Sequence, residues 1–454
     1  MYKLRLTLSV LLFPACVFAQ DTTRLSLLFA GDIMQHDSNI AAAYNTALKQ
    51  YDYAACFEYI APIIRSADLA IGNLELTLAG APYKGYPQFS APDALAIELK
   101  RSGFDVLVTA NNHSVDRRRK GLERTIRVLD SLRVLHTGTF RDSLERVNTY
   151  PLIIEKNGFK LSLLNYTYGT NGIPVTKPNI VNLIDTVQIK LDMAKARNQK
   201  TDAIIVFMHW GDEYQSLPNA TQKKLAKLLF REGAKLVIGA HPHVLQPMEW
   251  NKEQDRLVVY SLGNFVSGQR PRYRDGGAML WVDLQKIAAD TIVTTKISQA
   301  EYELTWVQKS TEFVMRPLRY FENDTVFVKE KTARDAMSLF VKDSRALLTK
   351  HNVNVAERKI QHEVDSIVYA VRLGVFTETD SLIRHDSLLG FYGLDKVEHD
   401  PGSFTWYAGL FYELEIALQA LQEIRSRPGF KNARLAKRVC CISNLPARSE
   451  NNPD

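Results

Sequence analysis

Two histidines separated by a single proline could together hold a metal ion. His241 and His243 follow a short aliphatic run at residues 236–238, which is typical of a buried strand. In extended backbone, residues i and i+2 point the same way, so both imidazoles are expected to converge on one object. Neutral imidazoles suit a borderline divalent metal. The alternative, on this segment alone, is a histidine pair in a loop that binds nothing.

Polar side chains of similar chemistry follow other predicted strands. They are Asp32 with His36, Asn73 with Glu75, Asn112 with His113, and His209. Carboxylate, amide oxygen and imidazole form a mixed ligand set that suits Mn, Fe or Zn rather than a sulfur-rich structural zinc site. Two such ions sharing a bridging carboxylate can activate water near neutral pH and stabilise both ends of a displacement. The pattern therefore predicts a site with two divalent ions.

The elements that must position these groups alternate along the chain from residue 24 to about residue 283. Strands are predicted over 25–30, 68–72, 104–109, 161–166, 202–208, 236–238 and 257–262, and helices over 53–66, 92–102, 117–133, 187–197 and 222–232. This alternation predicts an α/β fold with a largely parallel sheet covered by helices. Ligands in such sheets bind beyond the carboxyl ends of the strands, where each of these polar groups is expected to lie.

The rest of the chain changes in character. Further strands are predicted over 277–283, 291–297 and 302–309, which closes a first domain at residues 24–310. Amphipathic stretches at 331–350, 356–372 and 406–423 predict an α-helical C-terminal appendage over residues 330–424. Residues 425–454 are basic and are predicted to form a poorly ordered tail.

The first residues are typical of an export signal. Lys3 and Arg5 precede an apolar stretch at 6–13, and small residues before Gln20 suit cleavage, so residues 1–19 are predicted to be removed. The protein is then periplasmic or at the cell surface. We favour simple secretion over a lipid anchor at Cys16, because the preceding phenylalanine and proline suit lipoprotein processing badly. Once the signal is gone, three cysteines remain, and an odd count predicts no disulfide framework.

The formal net charge of +7 overstates the positive surface of the protein. Lys3 and Arg5 leave with the signal, and residues 425–438 hold six lysines and arginines without an acid. The remainder is near neutral, which argues against nucleic acid as a partner.

Six segments in order resemble the calcineurin-like metallophosphoesterase superfamily and, more closely, its CapA/PgsA-type capsule (poly-γ-glutamate) biosynthesis branch. They are FAGDIMQH, IGNLE, ANNHSVDRRRKGL, MHWGDEY, GAHPHV and YSLGNF. The resemblance implies a layered, metallophosphatase-like αββα sandwich. It implies that Asp32 and His243 hold one ion and that the second is held by Asn112, His209 and His241. His113 stands in the place of the catalytic histidine, which protonates the leaving oxygen or stabilises charge on the transferring group.

Two positions depart from the superfamily pattern. The first motif usually has histidine two residues after aspartate, whereas His36 is four residues after Asp32. The usual bridging aspartate is Asn73, and a neutral amide bridges two cations poorly. Glu75 lies on the same face as Asn73 by the period-two rule and is the candidate bridge. These departures leave open a single-metal site or a site of weak affinity.

Several of these residues have simpler interpretations. Asn112 and Asn264 are also typical of left-handed turns after strands. His36 is favoured as a residue that begins a helix, and Asp116 as the cap of the helix that follows it. Tyr214 is interpreted as a packing residue, with an aromatic rim around a polymer groove as the alternative.

Two basic runs flank the predicted site. One contains Arg117, directly after His113, and the other contains Arg270, Arg272 and Arg274, just after Asn264. Guanidinium groups bind carboxylate and phosphate through two hydrogen bonds, so these runs, with Asn264, are candidates for binding an anionic substrate. A solvated charged face is the alternative.

These observations give two hypotheses. The first is an exported, metal-dependent hydrolase or transferase acting on an anionic polymer, such as poly-γ-glutamate or another capsule or cell-wall polymer. The second is a non-catalytic polymer-binding or assembly factor within a membrane-bound capsule synthesis complex. The ligand set favours the first hypothesis, and the two departures favour the second.

Overall fold

The structure is a computed structural model of the 454-residue chain. It describes residues 21–46, 48–289, 292–309, 313–359, 365–377, 380, 389, 392, 394–400 and 403–441. The predicted export signal at residues 1–19, including Cys16, lies outside the described residues. No helix in the described part of the chain is long and apolar enough to cross a membrane.

The first part of the chain alternates strands and helices. The strands are β1 Asp21–Ile33, β2 Tyr44–Asn45, β3 Gln50–Tyr51, β4 Leu69–Leu74, β5 Val106–Val108, β6 Leu135–Thr137, β7 Thr139–Phe140, β8 Leu152–Lys156, β9 Phe159–Thr167, β10 Ile180–Val181, β11 Ala203–His209, β12 Leu236–Ala240, β13 Met248–Asn251, β14 Arg256–Val259 and β15 Asn264–Val266. The helices are α1 Asp37–Ala43, α2 Ala54–Phe57, α3 Ala61–Arg65, α4 Asp93–Arg101, α5 Arg118–Ser131, α6 Ser143–Thr149, α7 Thr186–Asn198 and α8 Ala220–Arg231.

The later part of the chain is richer in strands. These are β16 Gly276–Ala289, β17 Ile292–Gln308, β18 Val314–Pro317, β19 Ala356–Glu357, β20 Asp365–Thr377, β21 Leu394–Asp400, β22 Ser403–Phe411 and β23 Arg434–Cys441. The helices are α9 Leu318–Phe321, α10 Lys331–His351 and α11 Leu414–Arg425.

Two large sheets carry the fold. In the first, the order is β18-β17-β16-β1-β4-β5-β6, with β15 also paired to β1 and β19 to β17. Strands β1, β4, β5 and β6 run parallel, and β16 to β18 extend the sheet in antiparallel fashion. The second sheet has the order β13-β14-β12-β11-β9-β8, with β9, β11, β12 and β14 parallel.

The alternation of side chains shows how the sheets stack. Leu25, Leu27 and Phe29 of β1 share one buried core with Ile205 and Phe207 of β11, so this core lies between the sheets. Because successive residues of a strand face opposite sides, the intervening residues point outward. In the first sheet they pack with residues of α2, α3 and α4, and in the second with residues of α7 and α8. The layers are therefore helix, sheet, sheet, helix, as the resemblance implied.

The predicted elements of the first domain are largely present, with two corrections. The helix predicted over 53–66 is divided into α2 and α3, because Pro62 lies in the first turn of α3 and has no N–H to continue a helix from α2. The strands predicted over 291–297 and 302–309 are one long strand, β17.

The C-terminal region is only partly helical. Helix α10 matches the prediction, but the described residues of the helix predicted over 356–372 include β19 and the first part of β20, and the helix predicted from residue 406 begins only at Leu414. Strand β20 has register shifts between Tyr369 and Val371 and between Arg372 and Gly374. Such bulges interrupt the period-two pattern, which is why this strand resembled an amphipathic helix in the sequence.

The predicted poorly ordered tail is also corrected in part. Arg434–Cys441 forms β23, the edge strand next to β20 in a four-stranded antiparallel sheet with the order β21-β22-β20-β23. Helix α11 packs Ala420, Leu421 and Ile424 against this sheet. Residues 442–454 lie outside the described residues.

Candidate metal centre

The carboxyl ends of strands from both sheets bring the predicted polar groups together. Asp32, near the end of β1, has Asn73 of β4 and Asn264 of β15 as its partners in the neighbouring strands. The close approach of β1 to residue 263 requires Gly31, because a Cβ there would lie 2.1 Å from the Gly263 carbonyl oxygen. His209 ends β11 and is in register with Ala240, the last residue of β12.

Asp32 is fully buried and is held as a carboxylate. Its oxygens accept hydrogen bonds from Asn73 Nδ2 at 2.8 Å, the His241 backbone N–H at 3.2 Å and His243 Nδ1 at 3.1 Å. Burial raises the pKa of Asp32, but the hydrogen bond and charge of His243 outweigh it and hold that pKa below its ordinary value. A charged carboxylate is therefore available at the end of β1.

Glu75 is buried without a hydrogen-bond partner. Its exposure is 0%, and neither carboxylate oxygen accepts a hydrogen bond from the described residues. The closest ring nitrogens are His209 Nε2 at 3.6 Å and His243 Nε2 at 3.8 Å, both measured to Oε1. Burial and the neighbouring Asp32 raise the pKa of Glu75 well above its ordinary value. An unpaired buried carboxylate costs several kcal/mol, so this position favours a cation as its partner.

The ligand atoms form two groups that share Glu75. One consists of Asp32, Glu75 and His209, and the other of Glu75, His241 and His243; in each, one ligand atom per residue lies within 4.8 Å of the others. All five residues are buried. This grouping differs from the one that the resemblance implied, where Asp32 and His243 hold the same ion. The shared position is the one predicted for Glu75, and the donor set fits a divalent metal.

The histidine pair converges in a different way from that predicted. The backbone is not extended: φ is +99° at His241 and +58° at His243, a region that L-residues with side chains seldom adopt. The ring centroids are 5.9 Å apart. Such strain costs about 1–3 kcal/mol per residue and persists only where the surroundings impose it. Here Gly239 allows β12 to approach Tyr260, because a Cβ at position 239 would lie 2.0 Å from the Tyr260 carbonyl oxygen.

Hydrogen bonds orient the rings of the centre. His243 Nδ1 contacts Asp32 and, at 3.1 Å, Asn264 Oδ1, so its Nε2 is the atom directed toward Glu75. Such carboxylate contacts orient histidine ligands in metal sites. His209 lies between Asn73 Nδ2, 3.2 Å from its Nδ1, and Asn112 Oδ1, 2.8 Å from its Nε2. Asn112 therefore adjoins the ligand groups, as its predicted role requires.

Two of the imidazoles, those of His209 and His241, are electrically neutral at ordinary pH. Burial and the neighbouring His241 lower the pKa of His209 well below its usual value. Burial and His243 lower the pKa of His241 to about 4. Metal ligation requires unprotonated rings, so these two histidines are prepared for it.

His113 lies beside the ligands and is held by an acid that sequence reasoning misinterpreted. Its Nδ1–H donates to Asp116 Oδ2 at 2.7 Å, and the same oxygen accepts the Phe89 backbone N–H at 2.7 Å. Asp116 is therefore not the cap of α5, whose N-cap position is Arg117. The ring of Phe89 packs edge-on against His113, with centroids 4.6 Å apart. The spacing of three residues between His113 and Asp116 is the signal that could have identified this pair.

His36 and Asn73 have supporting positions. His36 begins α1 as its N-cap, as the simpler interpretation held, and its Nδ1 accepts the Gly268 N–H at 3.2 Å. It belongs to neither ligand group among the described residues. The amide nitrogen of Asn73 points at Asp32 and His209, so this residue orients two candidate ligands rather than bridging them.

The basic runs separate into different environments. Arg270 donates to the carbonyl oxygens of Val307, Ser267 and Gly268, and Arg272 is paired with Asp343 of α10. Arg117 donates to the Pro82 carbonyl oxygen at 3.4 Å. Arg274 instead stacks on the ring of Tyr214, with its guanidinium carbon 3.2 Å from the ring centroid.

Tyr168 is a neighbour of the centre that sequence reasoning missed. Its ring is 47% exposed and lies 4.5 Å from the ring of His241, and its hydroxyl donates to Asn171 Oδ1 at 3.1 Å. Asn112 Nδ2 donates to the same Asn171 oxygen at 3.3 Å. Tyr168 directly follows β9, a strand whose end carries no carboxylate or histidine, so its sequence gave no signal.

Comparison with known proteins identifies the family. A family model described as bacterial capsule synthesis protein PGA_cap matches residues 26–269, which is more than half of the chain. The chain belongs to this family. The matched segment contains every candidate metal ligand, and Arg274 lies just beyond it. The predicted membership of the capsule-synthesis proteins is thus confirmed.

Two curated relatives agree with this assignment. The capsule biosynthesis protein CapA of Bacillus anthracis is 30% identical over 264 residues, which cover 55% of this PGA_cap chain and 61% of that protein. The PGA biosynthesis protein CapA of Bacillus subtilis is 28% identical over 313 residues, covering 67% and 79% respectively.

Solved structures also show partial likenesses to this PGA_cap chain. The calcineurin-like phosphoesterase YfkN of Bacillus subtilis has a TM-score of 0.40 at 13% identity, covering 71% of this chain and 98% of that one. The NAD nucleotidase NadN of Haemophilus influenzae has the same TM-score and identity, covering 75% and 65%.

Proposed function

We propose that this protein is an exported, metal-dependent hydrolase or transferase of capsule biosynthesis that acts on an anionic polymer or its linkage. One observation carries the proposal: the Glu75 carboxylate is fully buried among Asp32, His209, His241 and His243, and its oxygens accept no hydrogen bond from the described residues. Two divalent ions, of Mn, Fe or Zn, would satisfy both the carboxylate and the neutral imidazoles. When bound, such ions activate water and stabilise charge on the reacting group.

The residues of the chain have distinct roles in this proposal. Divalent ions would be held by Asp32, Glu75, Asn112, His209, His241 and His243, and Glu75 is the residue common to the two ligand groups. His113 is held by Asp116 through Nδ1, which leaves Nε2 to give a proton to the leaving oxygen.

The polymer is proposed to be poly-γ-glutamate or another anionic capsule or cell-wall polymer. The names of the two curated relatives support a place in capsule or PGA biosynthesis, and the predicted signal at residues 1–19 supports a periplasmic or surface location.

The test compares Glu75→Gln with Asn73→Ala. Purified wild-type protein should contain one to two transition-metal ions per chain. Glu75→Gln should lose more metal than Asn73→Ala, because only a carboxylate supplies the charge that two cations need. Glu98→Gln is the matched control, since Glu98 is also buried, at 5% exposure, but lies outside the centre. Metal analysis gives the ranking, and the opposite ranking would place the bridge on Asn73.

A second candidate function is a binding or assembly factor that holds polymer without turnover. The position of His36 favours it, because His36 belongs to neither ligand group among the described residues, and the ligand set is then smaller than in the superfamily pattern. Under this alternative, a His113→Ala variant would support capsule formation fully in the producing cell, whereas the metal-ligand variants would fail.

A further inference from the structure

Three arginines follow Asn264 at alternate positions, and their surroundings differ. Arg270 donates to three carbonyl oxygens and is largely buried, and Arg272 is paired with Asp343. Arg274 has no carboxylate partner among the described residues, and its guanidinium lies on the face of the Tyr214 ring. Of the three, Arg274 is the one whose guanidinium makes no hydrogen bond or ion pair with a described residue, so all five of its N–H donors are available to a ligand.

Stacking on a ring leaves the N–H donors of a guanidinium free to bind a ligand. The contact with Tyr214 involves the flat face of the group, whereas its N–H donors point outward in the plane. Two of those donors match the two oxygens of a carboxylate or a phosphate. The stack also limits the rotation of a long side chain, so less conformational entropy is lost when the anion binds.

Tyr214 is itself fixed next to the metal centre. Its backbone N–H donates to the Pro242 carbonyl oxygen at 2.8 Å, between the two histidines, and its φ is +65°. Its ring centroid lies 6.1 Å from that of His243. Burial and a hydrogen bond from its hydroxyl to Glu213 raise the pKa of Tyr214 to about 12. The ring thus lies between His243 and Arg274 and contacts both of them.

A second connection joins Arg274 to the centre. The backbone carbonyl oxygen of Arg274 accepts a hydrogen bond from Asn264 Nδ2 at 2.7 Å, and Asn264 Oδ1 is 3.1 Å from His243 Nδ1. The position of Arg274 is therefore set by the same residues that orient a candidate metal ligand. An anion that accepts hydrogen bonds from the Arg274 N–H groups would therefore lie beside the Tyr214 ring.

We propose that Arg274, supported by Tyr214, binds a carboxylate or phosphate group of the substrate next to the reacting bond and selects anionic over neutral substrates. This inference rests on the proposed function and assigns substrate specificity to Arg274. Glu213 is exposed beside Tyr214, so the local charge is mixed rather than broadly positive. Recognition here depends on directed hydrogen bonds more than on net charge.

The experiment measures binding to metal-loaded protein by calorimetry. The probes are a γ-linked oligoglutamate, its neutral methyl ester and a short oligophosphate. Arg274→Gln should raise the Kd of one anionic probe at least tenfold, while the metal content is unchanged. If that probe is the oligoglutamate, its Kd in the variant should be close to the Kd of the methyl ester. Arg274→Lys should recover only part of the affinity, because an ammonium lacks the planar pair of donors. The probe that responds identifies the group as carboxylate or phosphate.

Two further variants test the role of the stack. Tyr214→Leu should weaken binding in the same direction as Arg274→Gln, whereas Tyr214→Phe should keep most of the affinity. Arg256→Gln is the matched control, because Arg256 also stacks on an aromatic ring, that of Phe230, on another part of the second sheet. It should change no Kd by more than about twofold, within the usual range of surface substitutions.

Several outcomes would overturn the proposal. One is that Arg274→Gln leaves the Kd of both anionic probes unchanged. Another is that Arg274→Gln weakens binding of the neutral ester as much as binding of the anionic probes. The third is that wild-type protein binds neither anionic probe. A failure of the proposed function would give a different result. Wild-type protein would then contain no metal or show no turnover, whatever the effect of Arg274→Gln on binding.

Discussion

Glu75 in the metal centre and Asp324 at the junction with the C-terminal sheet are carboxylates in opposite situations. Asp324 accepts hydrogen bonds from Lys437 Nζ at 2.7 Å and from the backbone N–H groups of Val326 and Phe327 at 2.8 Å. Burial raises the pKa of Asp324, but the hydrogen bond from Lys437 and these donors outweigh it and lower that pKa. Glu75 has no such donors within the described residues, and its pKa is raised.

The difference separates a structural acid from a candidate ligand. At the junction, the charge is satisfied by the chain itself, and Lys437 of β23 holds the C-terminal sheet to the segment after α9. In the candidate metal centre, the described residues supply Glu75 with no such donor, and its charged form would need a cation as partner. Burial alone therefore does not indicate function, whereas a buried carboxylate that accepts no hydrogen bond requires an explanation, and a bound cation would supply one at Glu75.

The largest expected effect comes from removing the histidine pair. His241→Ala/His243→Ala should lose nearly all bound metal, because one ligand group keeps only Glu75. His36→Ala is the matched control and should keep its metal, since the ring bonds to Gly268 instead. Metal analysis of both purified proteins decides this, and unchanged metal in the double variant would refute the centre.

The next effect concerns His113. His113→Ala should keep its metal and its affinity for polymer but lose on the order of 10²–10⁴ in rate, the usual scale for acid–base catalysis. An interaction made chiefly in the transition state lowers kcat more than it raises KM. Asp116→Asn should lower the rate less, because the imidazole remains but loses its orienting charge. Equal loss of metal in His113→Ala would instead make His113 a ligand.

The smallest effect is expected at the junction. Lys437→Met should lower the free energy of unfolding at pH 7 by about 1–3 kcal/mol, the value of a hydrogen bond to a charged group, while metal content is unchanged. Because the pKa of Asp324 is lowered in the folded protein, its stabilisation is present above the ordinary value of 3.8 and is lost as the pH falls below it. Urea unfolding should therefore show the variant and wild type converging toward pH 3. Lys431→Met, at an exposed position, is the control, and a gap that widens in acid would contradict the prediction.

Much of the fold was predictable because the parallel strands are apolar and regularly spaced. Strands such as Ala203–His209 are buried along their whole length. A short apolar run followed by a polar group therefore indicated both the strand and the end at which the candidate site lies. The C-terminal sheet could not be predicted in this way. Its strand β20 contains bulges, and a sequence with interrupted alternation fits a helical period as well as a strand.

The site was predictable in its members but not in its geometry. The residue types and their positions after strands indicated Asp32, Glu75, His209, His241 and His243. The left-handed backbone at His241 and His243 was not indicated, because it depends on contacts with β1 and with the segment around Tyr260 that are distant in sequence. The distinction between Arg272 and Arg274 likewise depends on Asp343 and Tyr214, which only the folded chain brings near.

The pairing of Asp32 with Asn264 also has a consequence for how the protein folds. These residues are neighbours in β1 and β15 although most of the first domain separates them in the sequence. Contacts of such high sequence separation form late, because the loop between them must close first. The candidate ligands themselves extend from Asp32 to His243, so a fragment that lacks either end of this range cannot assemble the full set. An ion that requires this set would bind the folded chain in preference to the unfolded one. The melting temperature of the protein would then rise with the concentration of that ion.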